Sequence, residues 1–248
     1  MKTAAVLLLT ALIASGALAG NAYAQQPASS DRADEIIQAE AMGLEPKLEA
    51  RGLKFGTPVY IAIYKSERML DLWAQAADGK FEFYKSYPIC AMSGALGPKV
   101  AEGDDQAPEG FYEVTRDQLN PNSNFDVSIN LGYPNAYDRA QHRTGSALMI
   151  HGSCLSIGCY AMTDPSIEEI YALVYASLMQ GEASVPVHIF PFRMTMPNMA
   201  EHARSRWYPF WATLKQGYDV FLSTGRPPRI AVASGQYVVT VQQQIVAP

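Results

Sequence analysis

The sequence predicts an α+β fold: a largely β core with flanking helices, preceded by an N-terminal helical arm. Three observations carry this. Residues 59–64 (VYIAIY) and 69–75 (MLDLWAQ) are short runs of β-branched and aromatic residues, the composition of strands in a packed sheet. Asp78-Gly79 is a tight-turn pair leading into a third such run at 81–89, which makes a meander. Downstream the pattern turns helical: Asp164-Pro165, then acids and a long apolar stretch.

Residues 1–24 stand apart from that fold. Lys2 gives a positive start, residues 4–19 are apolar except for Thr10, Ser15 and Gly16, and Ala22-Tyr23-Ala24 is a small-x-small cleavage site. This is the pattern of a secretory signal peptide cut after Ala24. The apolar run is short for a membrane span, and no Cys stands at the cleavage site to accept lipid. Residues 25–30 read as a linker. Ser30 caps a helix from Asp31 to about Met42; Pro46, suited to a first helical position, opens a short second piece that Gly52 ends. Residues 93–110, with four Gly and two Pro, read as loop. Strands are expected at 111–115, 125–130 and 147–151. A helix capped by Asp164 runs to about Gln180 and stops at Gly181, followed by a buried strand at 185–190. Residues 199–222 read as a helix broken near Pro209, and 237–242 as a late strand. The predicted organisation is signal peptide 1–24, linker and arm 25–56, core domain 57–195, and a helical C-terminal extension with a short strand, 196–248.

Composition narrows the function. Hydrophobic residues make up 48% and charged residues 17% of the 248, which is globular. The formal charge is −5, falling to −6 once Lys2 leaves with the signal peptide, and Lys and Arg form no cluster. Nucleic acid is thereby disfavoured as a partner, since phosphate binding leans on clustered cations. Export implies an oxidising compartment, and the three cysteines there, Cys90, Cys154 and Cys159, leave at least one thiol over.

The chemistry gathers in 149–164, M-I-H-G-S-C-L-S-I-G-C-Y-A-M-T-D. A strand ends at His151, Gly152 opens a loop, and Gly158 precedes Cys159 at a sharp turn. A thiol becomes a nucleophile when a neighbouring imidazole takes its proton, and the eight-residue separation lets the loop fold back to bring the two together. Backbone N–H groups near Gly158 and Cys159 are candidates for the oxyanion hole. Ser156 either orients the base or satisfies loop backbone.

This pattern resembles the L,D-transpeptidase catalytic (YkuD) family, whose signature is His-Gly, a variable loop, then Ser/Thr-His-Gly-Cys. The matching residues are Ile150-His151-Gly152 and Ser156-Ile157-Gly158-Cys159. Gly97-Pro98-Lys99, Glu102-Gly103-Asp104, the run Gln106 to Tyr112, and Cys159 to Asp164 extend the likeness toward the YafK-like branch. Two positions depart. Ile157 stands where many members have His, so His151 carries the base role alone. Ala161 stands where many have Arg, which removes a bidentate carboxylate binder.

The resemblance implies a YkuD-like catalytic domain in the periplasm, acting on peptidoglycan peptide stems. Cys159 attacks an amide carbonyl at diaminopimelate, His151 moves the proton, and an amine acceptor gives a crosslink or an attached protein. Within the branch it also implies hydrolysis of the link between an outer-membrane lipoprotein and the wall. No metal or organic cofactor is implied. Arg193, Tyr160 and Lys99 are the candidate substrate-binding residues, with Tyr112, Arg139 and Arg143 behind them. Cys154 is expected to pair with Cys90 or stay buried. Two rivals are a zinc site built from His151, Cys154 and Cys159 with His142 or His188, and a non-catalytic wall-binding protein that kept the fold. A papain-like protease is disfavoured because its Cys precedes its His.

Overall fold

The computed structural model describes residues 28–241. The signal peptide and the last residue of the expected late strand, Gln242, lie outside them. In chain order the elements are α1 (Asp31–Glu49), β1 (Val59–Tyr64), β2 (Met69–Gln75), β3 (Phe81–Pro88), β4 (Gly110–Val114), a 3-10 turn (Arg116–Gln118), β5 (Leu119–Asn120), β6 (Ser128–Asn130), α2 (Ala136–Ala140), β7 (Met149–His151), β8 (Tyr160–Ala161), α3 (Asp164–Met179), β9 (Val185–Phe190), α4 (Met196–Glu201), α5 (Tyr208–Thr224), β10 (Arg229–Ala233) and β11 (Gln236–Thr240). They form the α+β architecture expected.

One sheet has the order β3-β2-β1-β9-β4. The meander β1-β2-β3 is antiparallel, β9 joins β1 in parallel, and β4 closes the far edge against β9. Strand alternation gives this sheet two buried faces. Val59, Ile61, Ile63, Val187 and Ile189 face an aliphatic core beneath α1 and α3. Tyr60, Ala62, Tyr64, His188 and Phe190 face the other way, into an aromatic layer with Phe111, Trp211, Leu214 and Phe221 under α5. A second sheet, β5-β6-β7-β8, carries the site, and β10-β11 is a separate hairpin.

Several expectations are corrected by packing. The arm is one helix that runs through Pro46. Pro46 removes a hydrogen bond to the carbonyl of Met42, an exposed residue where water can replace it, while buried Leu44 and Leu48 hold the turn against the core. Ser30 does cap the helix, accepting from Ala33 N–H at 3.2 Å. Thr163, not Asp164, is the N-cap of α3. The C-terminal helix breaks at 202–207, before Pro209, which then lies in the first turn of α5, where no N–H partner is needed. The extension also holds a hairpin, because β10 pairs with the expected late strand across the Ser234-Gly235 turn. The strands expected at 125–130 and 147–151 are shorter, since Asp126 and Ala147 take positive φ and turn the chain toward the site.

The 93–109 loop is fixed by a buried ion pair. Lys65, just past β1, is 1% exposed and Glu109 is 0% exposed. Lys65 Nζ lies 3.1 Å from Glu109 Oε1 and donates to the carbonyls of Ala95, Gly97 and Ala107 at 2.8–2.9 Å. Glu109 accepts from Gly97 N–H (2.6 Å) and Trp211 Nε1 (2.8 Å). Burial pushes the Lys65 pKa down and Glu109 pulls it back. A buried pair with its hydrogen bonds met is tolerable, whereas half of one is costly. Lys65→Met should therefore lower unfolding stability by about 3–5 kcal/mol in urea denaturation, and adding Glu109→Leu should restore part of it.

His188 is fully buried, with Nδ1 3.2 Å from Tyr60 Oη and Nε2 unpartnered. Burial lowers its pKa from 6.5 to about 3. The unfolded chain thus takes up a proton between those values that the fold refuses. Stability from this group is whole above pH 6.5 and falls as the pH drops toward 3. Thermal melts across that window should show the decline, and His188→Phe should flatten it.

Candidate active site

The parallel pair β7–β8 brings the two ends of the motif together. Ile150 pairs with Tyr160 and His151 with Ala161. Ile150 and Tyr160 both enter the aliphatic core, so alternation sends His151 and Cys159 out together on the opposite face.

His151 is buried, and its Nδ1 lies 2.6 Å from the Gly152 carbonyl. A carbonyl only accepts, so Nδ1 carries the proton and Nε2 keeps its lone pair, the tautomer a general base needs. The Phe125 ring lies against the imidazole at 4.8 Å, tilted by 33°. Gly152 N–H donates to the Phe125 carbonyl (2.9 Å) and Ser153 N–H to Asp164 Oδ1 (2.6 Å). A Cβ on Gly152 would meet Asp164 Oδ1 at 2.5 Å and both Asp126 Cβ and the Phe125 carbonyl at 2.8 Å. Glycine is required here by space. Burial lowers the His151 pKa below 6.5, offset in part by the Gly152 carbonyl, so the ring is neutral at pH 7.

Cys159 is the one free cysteine and is partly exposed. Its thiol donates to the Ala147 carbonyl at 3.6 Å, not to the imidazole. Burial pushes its pKa above 9.0, opposed by the Met149 amide and the Lys99 charge. The resting pair is a neutral thiol and a neutral imidazole. Cys90 and Cys154 form a disulfide.

The other predicted residues divide. Ser156 Oγ donates to the Cys159 carbonyl at 2.7 Å, so it satisfies loop backbone and does not orient the base. Gly158 has φ of +95°, as its turn demands, but its N–H donates to Ser93 Oγ at 2.7 Å. The Cys159 N–H has no partner among the described residues and is the better oxyanion donor. Lys99 is buried and bonded to Asp104 (2.5 Å) and the Ala101 carbonyl (2.9 Å); it influences the thiol by charge and offers substrate little surface. Asp104, which burial alone would push up, is held at about 2 by Lys99 and by the amides of Val100, Ala101 and Gln106.

Arg193 is already engaged within the fold: its guanidinium pairs with buried Asp71 at 2.8 Å and lies over Tyr64. Tyr160 is fully buried with its hydroxyl on the Pro108 carbonyl (2.7 Å), and Tyr112 is buried on Asp138 (3.0 Å), so neither lines a groove. Arg143 pairs with Asp138 (2.8 Å), and Arg139 bonds the Pro134 carbonyl. Cys154 is in the disulfide and His188 in the aromatic layer, so the zinc set is not assembled; among the described residues no three His, Cys, Asp or Glu side chains gather as a metal site.

Sequence reasoning missed Ser93, Phe125, Ala147 and the second role of Asp164. These act through backbone contacts that no local pattern announces. The two departures from the family signature have different surroundings. Ile157 is 76% exposed beside Leu155 at 71%, an apolar rim to the nucleophile loop. Ala161 is fully buried, with its backbone paired with His151 on one side and bridged to Ala91 on the other.

The family model for the L,D-transpeptidase catalytic domain (YkuD) matches residues 58–189. YafK of Escherichia coli strain K12, which carries an L,D-transpeptidase name, is 50% identical over 195 residues, 78% of this chain and 79% of its own. Among solved structures, the helical cell shape determining protein Pgp2 of Campylobacter jejuni aligns at TM-score 0.44 and 17% identity over 82% of this chain and 80% of its own. Bd1075 of Bdellovibrio bacteriovorus aligns at 0.42 and 19%, over 71% and 77%. On the family match and the 50% identity, this chain belongs to the L,D-transpeptidase catalytic domain (YkuD) family.

Proposed function

We propose that this protein is a periplasmic L,D-transpeptidase that works through a Cys159 acyl-enzyme on diaminopimelate-containing peptide stems of peptidoglycan. The observation that carries the reading is the His151 Nδ1 contact with the Gly152 carbonyl, which leaves Nε2 as a free base on the face that Cys159 shares.

In this mechanism the thiol leaves its Ala147 contact and passes its proton to His151 Nε2 as sulfur attacks the amide carbonyl. The oxyanion is received by the Cys159 N–H. Collapse breaks the C–N bond, the imidazolium protonates the departing amine, and a thioester remains. A second amine attacks it and regenerates the thiol, giving a crosslink or an attached protein. Water in place of that amine makes the same site a hydrolase, including of a lipoprotein–wall amide.

The assay is incubation of the mature protein with sacculi carrying bound lipoprotein, followed by mass spectrometry of the muropeptides. New diaminopimelate–diaminopimelate links are the expected result. Release of lipoprotein without new links would replace transpeptidation by hydrolysis. Cys159→Ala should abolish either outcome, and His151→Ala should slow it about 10²–10⁴-fold. If wild type and Cys159→Ala behave alike, the acyl-enzyme reading fails and a wall-binding role takes its place.

The pH dependence follows from burial. A His151 pKa below 6.5 keeps the base unprotonated at pH 6.5, so kcat/KM should fall only below that value. A thiol pKa above 9.0 means that alkylation of Cys159 by iodoacetamide should keep rising through pH 9. A plateau near neutrality would instead indicate a preformed thiolate–imidazolium pair.

A further inference from the structure

The loop that carries the nucleophile is held very unevenly. At its start, His151, Gly152 and Ser153 are fixed by three backbone bonds of 2.8–2.9 Å: Met162 N–H to the His151 carbonyl, Gly152 N–H to the Phe125 carbonyl, and Thr163 N–H to the Ser153 carbonyl. At its end, Tyr160 is buried in β8. Leu155 and Ile157 between them project into solvent. The covalent tether of this middle is the disulfide from Cys154 to Cys90, across 64 residues of chain.

Cys90 is well placed for that duty. Its N–H donates to the Ala161 carbonyl (2.8 Å), and the next residue bridges Ala161. Three residues on, Ser93 Oγ accepts from Gly158 N–H and donates to the Asp105 carbonyl. The segment 90–93 therefore grips the loop twice, by a bridge at Cys154 and a hydrogen bond at Gly158, on either side of the exposed pair. Cys154 is exposed, which leaves the bridge open to a reductant.

We infer that Cys90 and Cys154 are positioning residues for the nucleophile, and that an external dithiol reductant switches the site off by opening their bridge. The inference rests on the acyl-enzyme reading of Cys159. One thiolate of the reductant attacks Cys154 Sγ, the S–S bond breaks, and Cys90 leaves as a thiolate. The second thiol of the reductant then displaces Cys154. Two electrons pass to the bridge, giving two protein thiols and one oxidised reductant. With the bridge open, residues 154–157 lose their anchor, and the grip on Gly158 rests on Ser93 alone. Cys159 is then less firmly held on the face it shares with His151.

The test compares oxidised wild type, protein reduced with dithiothreitol and desalted, the same protein re-oxidised with oxidised glutathione, and a Cys90→Ser/Cys154→Ser double variant. Assays run well below the melting midpoint of the variant. Reduction should lower kcat by about tenfold or more with KM changed by less than about threefold, since misplacing a reacting group costs turnover before binding. Re-oxidation should restore wild type. The double variant should match the reduced state and not respond to oxidant. Hydrogen exchange of peptide 152–159 should accelerate on reduction. Unchanged turnover or unchanged exchange overturns the inference, as does a loss of turnover that accompanies loss of the near-UV circular dichroism of the whole fold, which would make the bridge purely structural. Absence of turnover in the oxidised wild type would refute the acyl-enzyme reading instead, and loop exchange would still decide the clamp.

Discussion

The ion pair between Lys65 and Glu109 ties together three parts of the molecule that are far apart in sequence. Lys65 follows the central strand, Glu109 precedes the edge strand β4, and Trp211 on α5 completes the carboxylate's shell. The carbonyls that surround the ammonium belong to the 93–109 loop, so this loop is built around a charge, without strands of its own. Everything the loop supplies to the site depends on that. Ser93 meets Gly158 from one end of it, and Lys99 reaches the neighbourhood of the thiol from its middle. The pair costs desolvation, and the structure offsets this with three carbonyls on the ammonium and two N–H donors on the carboxylate.

The site itself is a product of the second sheet. Three-residue strands cannot hold much by ladder bonds, yet β7 is flanked on both sides and each flank does a different job. The β6 side sends Phe125 and Asp126 around a tight turn onto His151 and Gly152. The β8 side delivers Cys159. The base is oriented by a main-chain carbonyl, which cannot titrate, and so its tautomer is insensitive to pH.

Much of this was legible in the sequence. The three meander strands, β9 and the Ser30 cap stood where propensity and capping placed them. The His-Gly and Gly-Cys spacing pointed to the two residues that alternation does send to one face. The misreadings share a cause. Pro46 and Asp164 were judged by what each residue type does locally, and each was overruled by a tertiary partner: the aliphatic core and the Ser153 amide. The hairpin strand β10 is different, because its alternation and the Ser-Gly turn were present in the sequence and simply outweighed by the helical stretch before them. Phe125 and Ala147 offer main-chain carbonyls that any residue type could have supplied, and Ser93 acts from 65 residues away, so local sequence offers no signal for them.

Ala161 carries a consequence for how this branch of the family can change. Segment 90–93 has closed over the position, and both neighbouring strands lie within hydrogen-bonding distance of its backbone. Ala161 is fully buried, so a larger side chain there would have to displace whatever packs on it, and its backbone partners Cys90, Ala91 and His151 all belong to the seam that holds the loop of the nucleophile. A change of volume at this one small residue would therefore be felt at Cys159: the position acts as a keystone.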